Sequence, residues 1–263
     1  MTNLVPITKS HFLNRKWFSV QDYYFASHHA TATLAVGEIA QAMRTLPIAF
    51  MKNENYFTPV ALLGIQQGEN LFVKENGRWQ YAYKPAVFRS YPFALIPSKE
   101  GKLILAFDED SQDGSFDGND NRFYEDTGET SNTINEILTF LTEVHNSYEK
   151  TIQICSVLEK YDLFEDWNIE LERSNKKIQL NGLYKINEKK LNTLDGASLY
   201  DLQKVRALGL AYGHIFSILN VPLLGKLATH YDSSKKSTQE NIEKVSEIFS
   251  YGDDDGNIDL SSL

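Results

Sequence analysis

The sequence predicts an α+β fold, with an antiparallel sheet in the N-terminal half packed against a largely helical C-terminal half. Three observations predict it. Between Ile48 and Phe107, short apolar runs alternate with polar turn clusters. Within that region Glu75-Asn76-Gly77 is a hairpin signal, because Asn-Gly accepts the positive φ of a type I′ turn. From Ile134 to Leu158, apolar residues recur at helical spacing.

Taken in order, Trp17 to Phe25 is aromatic-rich and reads as extended. Thr31 to Leu46 reads as a helix through Leu34, Ile39, Ala42 and Met43, stopped by Pro47. Strands follow at Ile48–Met51, Phe57–Ile65 and Leu71–Val73, with Trp79–Tyr83 as the return strand of the Asn-Gly turn. Tyr91–Ile96 and Leu103–Phe107 complete the expected sheet. Asp108 to Glu129 is dense in Asp, Gly and Asn and reads as a loop. Thr133 with Glu136, Ser198 with Asp201, and Ser237 with Glu240 have capping-box spacing. They predict one long helix to about Tyr161 and helices at about 199–206 and 238–250. Ile169–Leu171 and Ile178–Tyr184 read as a small hairpin between them. The chain divides into a sheet-rich part (1–130), a mainly helical part (131–232) integrated with it, and a helix with an acidic mobile tail (233–263).

Composition bounds the function. The 263 residues are 42% hydrophobic and 23% charged, enough for a sizeable core. The net charge of −9 repels phosphate backbones, and Lys189-Lys190 and Lys235-Lys236 are isolated pairs, so nucleic acid is not the expected partner. The single cysteine, Cys155, excludes an internal disulfide and a Cys-based zinc site. Low cysteine use, with no apolar leader in Met1–Trp17, predicts a cytoplasmic protein. Ala207 to Gly225 carries no formal charge but holds Gly209, Gly213, His214, Asn220 and Pro222. It is read as a buried core helix, not a membrane span.

Several stretches carry a family resemblance. They include Pro47-Ile48-Ala49-Phe50, Pro59-Val60-Ala61-Leu62-Leu63-Gly64, Asn70-Leu71-Phe72-Val73, Gly77-Arg78-Trp79, Arg89-Ser90-Tyr91-Pro92-Phe93, Asp108-Glu109-Asp110-Ser111 and Gly182-Leu183-Tyr184-Lys185-Ile186. Together they resemble the bacterial SapC family of the S-layer-locus type, which is distinct from the peptide-transporter permease that shares its name. The resemblance extends over essentially the whole chain. It implies a role with a surface- or peptide-linked system. It implies no reaction, no cofactor and no catalytic residues to map.

Candidate site residues come from the residues themselves. Trp79, Arg89 and Tyr91 form an expected recognition set: Arg presents a planar fork for a carboxylate, and the aromatics supply amphipathic contact area. Asp108 and Asp110 open the acidic loop with hard oxygen ligands for a divalent cation. A calcium loop starting at Asp113 places Asp113, Ser115, Asp117 and Gly118 well, but Tyr124 falls where a bidentate glutamate belongs, so this is no EF-hand. His28 and His29 are candidate ligands or bases, although adjacent histidines seldom point the same way. Glu38 sits among Leu34, Val36, Ile39 and Ala40, a setting in which a carboxylate can act as an acid or base. Cys155 and His214 lie on apolar helix faces and read as core residues.

No P-loop, Gly-x-Gly-x-x-Gly or Gly-x-Ser-x-Gly is present. The expected function is a non-enzymatic binding or accessory protein that engages a protein or peptide through an aromatic sheet face. The alternative is an enzyme of unrecognised class using Glu38, His28, His29 and the Asp108/Asp110 pair with a divalent cation.

Overall fold

The computed structural model describes residues 3–112 and 121–250, the side chains of Gln112 and of residues 238–250 excepted. The strands are β1 Leu4–Pro6, β2 Lys16–Trp17, β3 Thr31–Thr33, β4 Ile48–Lys52, β5 Phe57–Leu62, β6 Phe93–Pro97, β7 Leu103–Asp108, β8 Asn121–Arg122, β9 Phe164–Asp166, β10 Ile169–Arg173, β11 Lys176–Leu180 and β12 Tyr184–Ile186. The α-helices are α1 Lys9–Phe12, α2 Ile39–Ala42, α3 Ala86–Arg89, α4 Asn132–Lys160, α5 Glu188–Leu191, α6 Gly196–Lys204, α7 Ala207–Ser217 and α8 Val221–Ser250. The architecture is α+β: antiparallel sheets dominate the N-terminal half and helices the C-terminal half.

The expected single sheet is two sheets. One has the order β3-β5-β4-β12-β9, and the other β1-β7-β6. The first recruits β9 and β12 from beyond the long helix, so both halves of the chain share one ladder. Each sheet covers its own core. Phe50, Phe72, Ile48, Leu62 and Leu158 lie in the larger core. Phe12, Trp17, Phe93, Phe107 and Phe123 lie in the smaller. Helix α4 is 29 residues long and serves both: Ile134 and Leu141 enter the small core, and Ile154, Cys155 and Leu158 the large one. Burial pushes the Cys155 thiol up to about 12, which fits an inert core residue.

Several elements correct the sequence reading. Thr31–Thr33 is a strand on β5, pairing Ala32 with Ala61, where a helix was expected; only 36–42 is helical, first as a 3₁₀ turn and then as α2. β-branched Thr on both sides of Ala32 suits the ladder, and the β5 edge supplies the partner. Trp17–Phe25 is extended only at β2, and Tyr24–Ala26 is a 3₁₀ turn. A turn forms here, but not the expected type I′: the Gly77 N–H donates to the Lys74 carbonyl at 2.9 Å, which puts Glu75-Asn76 at its centre, and Gly77, not Asn76, takes the positive φ (+73°). Its arms make one bridge, Val73 to Trp79, because their rings turn into the core instead of continuing a ladder.

Helix starts also differ. Ser131, not Thr133, caps α4 by accepting from the Ile134 N–H at 3.3 Å. Asp195, not Ser198, caps α6 by accepting from the Ser198 N–H at 2.7 Å. No break occurs at Ser237, since α8 runs unbroken for 30 residues. Its first half is clamped to the β10–β11 hairpin. Arg173 reaches Asp232 through Nε at 2.9 Å and Nη2 at 2.5 Å, and reaches Glu69 through Nη2 at 2.8 Å. Gly225 allows this approach: a Cβ there would stand 2.9 Å from the Glu172 carbonyl oxygen.

Candidate functional site

Helices α4, α6 and α7 and the turn leading into α2 enclose a groove of about 1020 Å³. It exists because four short contacts hold its walls. The Val36 N–H donates to Thr151 Oγ1 at 2.7 Å, and the Gly37 N–H to Ser147 Oγ at 3.0 Å, so the 36–38 turn lies directly on α4. Asn220 Nδ2 donates to the Met43 carbonyl at 2.8 Å and ties the end of α2 to the turn after α7. The Ile48 N–H donates to Ser217 Oγ at 3.0 Å, fastening α7 to the first residue of β4.

Helix α7 can approach α2 this closely because position 213 is glycine. A Cβ there would stand 2.3 Å from Ile39 Cγ2. One turn earlier Gly209 faces open space, with nothing within 4 Å of an added Cβ, and it keeps the groove floor low. The walls are apolar: Val36, Ile39, Met43, Ile154, Leu210 and Phe216 line them. Phe216 is 56% exposed and stacks with Tyr212 at 6.2 Å, and Leu219 beyond it is 82% exposed.

The rim is cationic. Lys150, Lys204 and Arg206 line it against one carboxylate, Glu143. Among the described residues none of the three cations makes a close ion pair, although Lys204 lies near enough to Asp201 to help hold that carboxyl below its ordinary range. In a chain of net charge −9, a rim with three cations to one lining carboxylate is locally positive. Arg206 has a second peculiarity. It holds the left-handed conformation (φ +62°, ψ +24°) at the cap position of α7, where its side chain cannot accept from the free N–H groups of the first turn. Such a conformation costs a residue with a Cβ on the order of 1–2 kcal/mol, and it places a guanidinium at the groove's end.

The sequence-predicted residues lie elsewhere and fall into three groups. Trp79 and Tyr91 belong to one ring cluster. Trp79 stacks on Phe72 at 5.8 Å and donates through Nε1 to the Tyr83 carbonyl at 2.9 Å. Tyr91 stacks on Phe25 at 3.9 Å. His29 meets Phe88 at 5.6 Å at the margin of the cluster, while His28 Nδ1 donates to the Gly68 carbonyl at 3.1 Å. The two imidazoles thus have different neighbours.

The second group joins Glu38 to Arg89 through Tyr83. Buried Glu38 accepts from the Tyr83 hydroxyl at 2.6 Å and the Ala86 N–H at 2.7 Å through Oε1, and from the Ala35 N–H at 2.8 Å through Oε2. Burial, reinforced by the Glu38 carboxylate, holds the Tyr83 hydroxyl well above the ordinary tyrosine range. Arg89 is exposed and lies over the Phe140 ring at 4.9 Å. Its guanidinium also lies 6.0 Å from the Tyr83 ring centroid.

Asp108 and Asp110 form the third group. Asp108 is buried and accepts from the Asn3 N–H at 2.9 Å and the Asp110 N–H at 3.3 Å, while Asp110 is exposed. Among the described residues no three His, Cys, Asp or Glu side chains stand close enough to hold a metal ion. Asp113, Ser115, Asp117, Gly118 and Asp120 lie outside the described residues.

With the geometry in place, comparison with known proteins adds one decisive finding. The SapC family model matches residues 7–224. The chain belongs to the SapC family. The match takes in every wall of the groove and stops near the start of α8, narrower than the whole-chain resemblance read from the sequence. No curated protein and no solved structure matches the chain.

Sequence reasoning missed the groove in this SapC-family chain. Its walls come from residues 36–43, 143–154 and 204–216, each of which alone reads as an ordinary helix face. The one available signal was Gly209 and Gly213, four apart in an apolar helix, and that spacing says nothing about what lies opposite. Ala207–Ser237 is long and apolar enough, by length and composition alone, to cross a bilayer, and 44% of its most apolar window is buried.

Proposed function

We propose that this SapC-family chain is a non-enzymatic binding protein that engages a protein or peptide partner through the groove between α4 and α7. The observation that carries the reading is the union of an open apolar floor with a rim that sets three cations, Lys150, Lys204 and Arg206, against one lining carboxylate, Glu143. Apolar walls reward burial at about 25 cal/mol per Å². A rim with more cations than carboxylates selects a segment that carries acidic side chains beside its apolar ones. A bare anion would leave the walls wet, and a neutral apolar segment would leave the cations unanswered. The cytoplasm of a bacterium, and a task in a surface- or peptide-linked system, are the setting we propose for it.

The test uses synthetic peptides. One carries alternating Leu and Glu, and its counterpart replaces every Glu with Lys. Fluorescence anisotropy should show the acidic peptide binding the full chain and weakening with salt. A rim ion pair contributes about 0.2–1 kcal/mol, so Lys204→Glu, which converts an attraction to a repulsion, should weaken it about tenfold. Equal binding of both peptides, or binding indifferent to Lys204→Glu, would overturn the proposal.

A further inference from the structure

We infer that the partner segment enters this groove as an amphipathic α-helix of about three turns, not as an extended chain. The inference rests on the reading above, that the groove binds a peptide with apolar and acidic side chains, and it gives that peptide its conformation.

The first argument is hydrogen bonding. Among the described residues that line the groove none lies in a strand; they belong to α2, α4, α6, α7 and the turns joined to them. A helical wall spends its N–H and C=O groups on itself, so it offers no edge for a strand to join. The two backbone donors that the 36–38 turn could offer are taken, the Val36 N–H by Thr151 Oγ1 and the Gly37 N–H by Ser147 Oγ. The Val205 and Arg206 N–H groups both donate to the Gln203 carbonyl. The free N–H groups in the first turn of α7 sit at one end of the groove and cannot serve a segment along its length. An extended peptide would therefore bury N–H groups between apolar walls without acceptors, and each such orphan costs about tenfold in affinity. A helix arrives with these bonds made.

The second argument is shape. Glu143, Ser147, Lys150 and Ile154 line the groove from α4 at intervals of three or four, so they form one stripe about 16 Å long at 1.5 Å per residue. Spread over that length, about 1020 Å³ gives a channel roughly 9 Å across, close to the about 10 Å of a helix with its side chains. Gly209 puts no side chain into this space, which leaves room for one from the incoming helix.

The third argument is where the charges stand. Lys150 rises from α4 and Lys204 from the end of α6, with Arg206 beside it, and Glu143 is the one carboxylate among them. In an extended chain side chains alternate between two faces, so carboxylates next to a buried Leu would point away from the walls. On an amphipathic helix the residues beside the apolar stripe lie along its flanks, at the level of the rim. Only the helix brings its carboxylates to the rim cations while its Leu side chains fill the floor.

The test compares peptides binding to the full chain by fluorescence anisotropy. One is the alternating Leu-Glu peptide. The second has the same Leu and Glu content, rearranged so that Leu falls at i, i+3, i+4 and i+7 and Glu flanks that stripe. The third adds an i,i+4 lactam bridge on the solvent side of the second. The alternating peptide puts Leu on two sides of a helix, so the helical isomer should bind about tenfold tighter. The lactam should tighten it several-fold further by holding the bound form in advance. Proline at its centre should weaken it about a hundredfold. Isotope-edited infrared spectra of the bound helical isomer should show the carbonyl band of a helix. Gly209→Trp fills the groove from a position where an added Cβ meets no atom of the fold, and should abolish binding. Lys204→Glu, at an exposed site, is the second variant should Gly209→Trp not fold, and should weaken the helical isomer about tenfold. An alternating peptide that binds as tightly as its helical isomer, a lactam that weakens binding, or a strand-type carbonyl band would each overturn the inference and leave the proposed function standing. If no acidic peptide binds, both fall. Self-association of the parent chain that Gly209→Trp removes would make a second copy the occupant. Binding to vesicles of phosphatidylserine and phosphatidylcholine that Gly209→Trp removes would make it a lipid surface. Either result overturns the inference.

Discussion

The His214 imidazole on α7 donates through Nδ1 to the Ile48 carbonyl of β4 at 2.9 Å, and its Nε2 is buried without a partner. The ring is packed against Phe50 at 5.1 Å and Trp167 at 5.6 Å, so the groove-forming helix is joined to the central sheet by a histidine that must stay neutral.

Burial pushes the His214 pKa down to about 4, against an ordinary value of 6.5. The unfolded chain therefore takes up this proton first. Stability from the neutral ring is full above about pH 6.5 and is lost as pH falls towards 4. At 1.36 kcal/mol per pH unit, the gap is worth on the order of 3 kcal/mol. Urea unfolding should show a lower midpoint at pH 4.5 than at pH 7, and His214→Leu should flatten most of that slope. A wild-type midpoint that does not move over this interval contradicts the assignment.

Glu38 supports the far side of the same 36–38 turn. Its carboxylate accepts from two backbone N–H groups, Ala35 and Ala86, and from the Tyr83 hydroxyl. An orphaned buried donor costs about 1–3 kcal/mol, so Glu38→Ala should destabilise the fold by about 3–5 kcal/mol. Glu38→Gln keeps one acceptor oxygen and should lose less. If Glu38→Ala melts like the parent chain, the three bonds contribute nothing. An ultraviolet titration should also show one tyrosine fewer ionising late after Tyr83→Phe, since burial and Glu38 hold that hydroxyl up.

Glycines four residues apart in α7 should respond in opposite directions. Gly209 has an ordinary helical backbone and open space around its missing Cβ, so Gly209→Ala should stabilise by about 1 kcal/mol through helix propensity. Gly213→Ala drives a methyl into Ile39 and should cost about 1–3 kcal/mol as overpacking does. Thermal melts of the two variants check this directly, and the same sign for both would show that the α7–α2 contact is looser than described.

How much of this was legible in the sequence depends on where each element finds its partner. Strands β4, β5, β6 and β7 and helix α4 were readable, because each is a strongly patterned run bounded by turn residues. Thr31–Thr33 was not, because Ala and Leu around it also suit a helix and only the edge of β5 makes it a strand. Helix caps were missed by two or three residues where hydroxyls and carboxylates crowd the start, as at Ser131 and Thr133. Of the expected site residues, Glu38 was recognisable as a carboxylate among apolar neighbours, but its bonds to Tyr83 and Ala86 span more than forty residues. The groove was illegible for the same reason: its walls and its rim cations come from three separate stretches, and a sequence lists neighbours only along the chain.

Arg206 gives the sharpest separation of stability from binding. No Gly or Asn in Gln203-Lys204-Val205-Arg206 announces a left-handed residue, yet Arg206 adopts φ +62° where α7 begins. Arg206→Gly removes the steric cost, so it should stabilise the fold by about 1 kcal/mol. The same change deletes one of three rim cations, so it should weaken the Leu-Glu peptide several-fold and shallow the salt dependence of its binding. A residue kept only for the fold would move both properties together. Paired measurement of unfolding midpoint and peptide anisotropy on Arg206→Gly therefore distinguishes the roles: greater stability with weaker binding identifies a strained conformation held for the sake of the charge it presents, whereas greater stability with unchanged binding removes Arg206 from the groove's recognition set and leaves Lys150 and Lys204 to carry it.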